Sequence, residues 1–149
     1  MFKTSLDISK SLDTELEASK FRKGMRKGLI EAMSFLESEV KKSFGSGNAP
    51  KVRSGKLRSS IKSSIKEEGN TSVGTIGSDL VYAPIQEYGG IIEARLAPYL
   101  MIQIGDRWAK VKSVRIPARP FLGPTIERNT DKVGSIISLR IREEVSGNG

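Results

Sequence analysis

The chain has 149 residues, with 25 Lys and Arg against 17 Asp and Glu (net charge +8), and no cysteine or histidine. Without cysteine there are no disulfides or thiolate metal sites. Without histidine the commonest general base and the commonest transition-metal ligand are missing together, which disfavours hydrolases, zinc enzymes and most nucleases.

At 37% hydrophobic and 28% charged residues, the composition fits one domain with a modest core, supported in part by neighbouring copies of the chain. The opening "MFKTSLDISKSLDTELEASK" has no apolar run of the export type, and no segment approaches the roughly 20 apolar residues that span a bilayer. A soluble protein made in a cytoplasm is expected. Between Lys20 and Arg58 there are eleven basic residues against three Glu, a difference of +8, while the rest of the chain holds fourteen of each sign. That segment is either a contact surface for a polyanion or an acidic protein, or a solvated helix face.

From Leu12 to Phe44, apolar residues at Leu16, Phe21, Met25, Leu29, Ala32, Met33, Leu36 and Val40 step by three and four, or close to it, as on one face of a helix. Arg22, Lys23, Arg26 and Lys27 lie on its polar side, with Lys41 and Lys42 near its end. Gly24 and Gly28 each cost roughly 1 kcal/mol relative to Ala. The helix therefore either begins near Ser19 or packs closely at these glycines. "GSGNAP" from Gly45 to Pro50 ends it.

Ser54-Gly55 reads as a turn, followed by a short helical turn through Leu57 and Ile61 and an extended exit at Ile65. "EEGN" is a hairpin turn centred on Gly69-Asn70. "TSVGTIGS" reads as a strand close to another backbone. Tyr82, Ile85 and Tyr88 then space one helical turn, closed by Gly89 and Gly90. A second hairpin pairs Tyr99 to Ile104 with Trp108 to Ile116 across Gly105-Asp106, with lysines on one face. In "VRIPARPFLGPTIE", Pro117 ends that strand, and Pro120 and Pro124 lead into a last helix from Thr125 to Val145. Alternation of Ile137, Leu139 and Ile141 leaves a strand open near its end.

The expected class is α+β: an antiparallel sheet of three to five strands packed by a long N-terminal helix and a C-terminal helix. Residues 1–18 are read as an arm or helix extension, 19–145 as the domain and 146–149 as a flexible tail.

No catalytic, cofactor or metal constellation emerges. Glu67-Glu68 sits in a turn, Asp79 and Glu87 lack a third acid at useful spacing, and "GTIGS" lacks the phosphate-loop pattern. An enzymatic role using these acids is the weakest reading. Aromatic residues form no stacking row with the basic segment, so any DNA contact would be to phosphates and non-specific.

Three stretches carry a resemblance: "RSGKLRSSI" (Arg53 to Ile61), "VYAPIQEYGG" (Val81 to Gly90) and "IPARPFLGPTIE" (Ile116 to Glu127). Their order and spacing resemble the tail-completion or neck family (virion morphogenesis, minor tail component) of long-tailed double-stranded DNA phages. The matching positions are Ser54, Gly55, Leu57, Arg58, Ser60 and Ile61, then Tyr82, Ala83, Glu87, Tyr88 and Gly89, then Ala118, Arg119, Pro120, Phe121 and Leu122. The long insert before the third motif is similar to the Mu-like branch.

The resemblance implies a structural virion protein at the head–tail junction, without cofactors, assembled in the host bacterial cytoplasm. Its partners would be itself, in a hexameric ring, and neighbouring connector, stopper, tail terminator or tail tube proteins, with DNA passing through the channel. The alternatives are a tail terminator ring capping the tube and a non-specific DNA-binding protein using residues 20–58. For single side chains the motifs are expected to determine the fold: Gly55, Gly89 and Gly90 in turns, and Leu57, Tyr82, Tyr88 and Phe121 in the core. Arg119, or Arg58, is expected to pair with Glu87. The face of Arg22, Lys23, Arg26 and Lys27 is expected to meet a partner protein, so that charge reversal there blocks assembly and leaves the fold intact.

Overall fold

The computed structural model of the chain describes residues 2–5, 15–52 and 55–147. Helix α1 (Glu15–Ser43) is the long helix the periodicity predicts, and it runs through both glycines. Leu12 and Ser54 lie outside the described residues, as do the last two residues of the expected tail. The chain turns at Gly45 (φ 83°) into the loop before α2 (Lys56–Ser60), which follows Gly55 in the left-handed region at φ 74°.

Strands β2 (Lys62–Glu68) and β3 (Thr71–Gly77) form the expected hairpin, with Glu68 opposite Thr71 across Gly69-Asn70. The arm contributes β1 (Phe2–Ser5), which pairs antiparallel with β3 to give a three-stranded sheet in the order β1-β3-β2. Helix α3 (Ala83–Tyr88) follows, and then four strands in two ribbons: β4 (Gly90–Glu93), β5 (Leu100–Ile104), β6 (Arg107–Val111) and β7 (Ser113–Ile116). Helix α4 (Gly123–Val145) stays helical to its end, so the strand left open there is not formed.

The run from Trp108 to Ile116 is not one strand. It bends at Lys112, so β6 pairs with β5 while β7 pairs with β4. The Lys112 carbonyl accepts from the Ala94 N–H at 2.9 Å, which ties the bend to the end of β4. The inward-facing positions shift phase at the bend, from Ala109 and Val111 in β6 to Val114 and Ile116 in β7, with Lys112 and Ser113 both exposed.

Helix α1 packs on the sheet and on α4. Leu29, Ala32, Met33, Leu36 and Val40 are its buried stripe, joined by Ile61, Ile76, Phe121, Leu122 and Ile137. The two interior glycines explain themselves at the α1–α4 contact. A Cβ on Gly24 would lie 2.6 Å from the Ile141 Cα and 2.8 Å from the Arg140 carbonyl oxygen, and one on Gly28 would lie 2.6 Å from the Ile137 Cα. The helices therefore meet backbone to backbone, and propensity yields to packing. Gly74 in β3 also makes room, but for a side chain: its Cβ would sit 2.5 Å from the Met33 Sδ. The expected close approach of a second backbone is there an approach of α1.

Candidate functional site

The second and third motifs form one locked unit. Glu87, 6% exposed, accepts hydrogen bonds from the backbone N–H groups of Phe121 (2.8 Å), Leu122 (3.0 Å) and Gly123 (2.8 Å). These N–H groups open α4, whose N-cap position Leu122 supplies no side-chain cap. A carboxylate there satisfies donors that the helix leaves orphaned and sits favourably at the positive end of its dipole. The Arg119 N–H donates to the Gln86 carbonyl at 2.7 Å. Gly89 completes the contact at φ 70°, where a Cβ would lie 2.7 Å from the Ala118 nitrogen. Phe121 is buried against Phe44 with ring centroids 4.9 Å apart.

The expected ion pair between Arg119 and Glu87 is therefore not formed, because backbone donors occupy the carboxylate. Arg58 does not reach it either. Tyr82 and Tyr88 are not core residues: each is exposed, and Leu57 is half-buried. Of the signature side chains placed in the core, only Phe121 is fully buried. Pro120 is half-buried at the elbow.

Arg58 and Arg119 instead line a recess of about 460 Å³, between the loop after α1, α2, the start of α3 and the elbow. Lys51 is its third cation, and no Asp or Glu lines it. Among the described residues these three side chains have no ion-pair partner. Leu57, Tyr82, Ile116 and Pro117 form apolar wall, with Gly55 at one edge. All three motifs meet here. Lys51, Gln86 and Ile116 were not singled out in the sequence, since the recess joins stretches far apart in the chain and leaves no local signal.

The basic face of α1 is mostly engaged inside the chain. Lys23 (3.0 Å) and Lys27 both pair with the buried Glu144, Arg26 pairs with Glu67 at 2.9 Å, Lys41 with Glu37 at 2.6 Å and Lys42 with Glu39 at 2.8 Å. Of the six nominated cations, Arg22 alone has no such partner among the described residues. Hydrogen bonds from Lys27 and then Lys23 hold the Glu144 carboxyl below its usual range, and Lys41 chiefly does the same for Glu37. Reversing Lys23 and Lys27 would set carboxylates against buried Glu144. Reversal at these two positions is therefore expected to destabilise the fold as well as change the surface.

Glu67 and Glu68 are in ion pairs with Arg26 and Lys66, and among the described residues no three Asp or Glu cluster as metal ligands. No described helix is long and apolar enough to cross a membrane.

The two ribbons differ from the rest of the surface. None of residues 90–116 belongs to the core cluster. Ile91 (55% exposed), Met101 (50%), Ile104 (62%) and Trp108 (64%) stand in solvent. Lys110 lies over the Tyr99 ring at 4.4 Å, a cation–π contact on the same wet face as Trp108.

No curated protein and no solved structure matches the chain. Residues 7–89 match the family described as "Bacteriophage HK97-gp10, putative tail-component". That span holds the first motif and the second up to Gly89, and stops short of the elbow. It covers more than half of the sequence, and the chain belongs to the HK97-gp10-like family of bacteriophage tail components.

Proposed function

We propose that this tail component is a structural, non-enzymatic subunit of the head–tail junction of a long-tailed double-stranded DNA phage, where it completes the neck by assembling as, or onto, a ring around the DNA channel. The observation that carries the reading is the pair of two-stranded ribbons, β4-β7 and β5-β6, with exposed apolar side chains. A lone two-stranded ribbon is marginal in water. Ribbons that add nothing to the core cluster gain stability when a neighbouring subunit covers them or extends their edges.

The internal pairing of Lys23, Arg26, Lys27, Lys41 and Lys42 favours this reading over a DNA-binding one, because the same cations are not free for phosphates. A ring needs a heterologous contact whose rotation closes.

Native mass spectrometry of the purified full chain tests the assembly. A single closed oligomer is expected, alone or with a connector or tail protein, and Trp108→Asp with Ile104→Asp should return it to monomer. A chain that stays monomeric at every concentration and with every such partner contradicts the proposal.

A further inference from the structure

We infer that the recess between α2, α3 and the elbow is a docking pocket for an acidic peptide segment of a partner protein, one that carries an apolar residue beside its carboxylates. Three features of the recess point to that chemistry. Lys51, Arg58 and Arg119 bring three positive charges to a lining without a single Asp or Glu. No described residue neutralises them, whereas five of the six nominated cations on α1 have a carboxylate within the chain. A carboxylate against guanidinium groups forms charge-assisted and often bidentate hydrogen bonds.

The second feature is shape. A concave volume of about 460 Å³ fits one or two side chains. A duplex backbone lies along a surface and meets cations there, so a recess of this size suits it poorly.

The third is the mixed wall. Leu57, Ile116 and Pro117 line the recess together with the cations, as does Tyr82, which is partly exposed. Apolar wall beside cations rewards a ligand that brings a carboxylate and an apolar group together. Part of the lining is tied in place, since the Arg119 N–H donates to the Gln86 carbonyl and Glu87 holds the elbow. A pocket formed in advance keeps the ordering cost of binding low.

The inference rests on the junction reading for the source of the partner, but its test reads the recess alone. Fluorescence anisotropy with the purified full chain at physiological salt would compare three labelled probes: a random Glu–Tyr copolymer, polyglutamate of equal charge and a 20-base-pair DNA duplex. The copolymer is expected to bind most tightly. Arg58→Gln with Arg119→Gln should weaken it at least about tenfold, while Arg22→Gln should leave it unchanged. The double variant should unfold at the same urea concentration as the parent, since neither guanidinium pairs within the described chain.

An affinity that the double variant leaves intact overturns the pocket. Binding of the duplex, and not the copolymer, through the same two arginines makes it a phosphate site and also overturns the proposal. An oligomer that falls apart in the double variant would identify the occupant as a second copy of this chain, against the partner proposed. Failure of the ring in mass spectrometry leaves copolymer binding untouched, so the two failures are distinguishable.

Discussion

Replacing Glu87 by alanine is expected to cost the fold at least about 3 kcal/mol. The side chain is buried and accepts from three backbone N–H groups, of Phe121, Leu122 and Gly123. Removing it strands those donors at the start of α4, where no other side chain caps the helix. Each buried donor left unpaired costs about 1–3 kcal/mol, and water entering the gap recovers only part of that. Glu87→Gln keeps one carbonyl oxygen and should lose about half as much. Urea unfolding at fixed protein concentration measures both. An alanine variant within about 0.5 kcal/mol of the parent, the range of an ordinary surface change, contradicts the capping role.

The second large effect is expected at Gly28. Alanine there should gain roughly 1 kcal/mol of helix propensity in α1. Its Cβ, however, would lie 2.6 Å from the Ile137 Cα and 3.1 Å from the Ile137 carbonyl oxygen. Backbone atoms of a packed helix cannot step aside as a side-chain end can, so α1 and α4 must separate. The expected result is a net loss of about 2 kcal/mol, within the usual range for overpacking. Gly24→Ala should behave alike, since Ile141 and Arg140 stand equally close. A variant more stable than the parent, as propensity alone requires, would show that the helices yield there.

These two sites also mark what can be read from the sequence. Local signals carry well: the stripe from Phe21 to Phe44, though not Leu16, which is exposed, the turn at Gly69-Asn70, the helical turn from Tyr82 to Tyr88, and Pro124 in the first turn of α4 all hold. Close packing at Gly24 and Gly28 was one of two readings, and only the opposing helix decides between them.

Non-local pairings left weaker traces. Strand β1 is four residues long and is defined by its pairing with β3. The change of partner at Lys112 shifts the alternation by one residue, a break that reading Trp108 to Ile116 as one strand passes over. The motifs around Glu87 and Arg119 do meet, but through backbone donors instead of a guanidinium. Pro120 and Pro124 flank the N–H groups that need an acceptor, and the acceptor lies 34 to 36 residues earlier. With that carboxylate occupied, Arg119 is left to the recess, together with Arg58 and Lys51. The recess itself was not legible, because its lining comes from four separate stretches of chain.

The chain belongs to a tail-component family and leaves its ribbons uncovered, and the central proposal built on these two facts is that it is a subunit of the head–tail junction. Cryo-electron microscopy of intact particles carrying the protein tests it most directly. The account predicts density for this chain as a symmetric ring at the head-proximal end of the tail, with its ribbons buried between subunits or against the next ring. Particles that lack the chain, or that carry it along the tail shaft or at the distal tip, would contradict it.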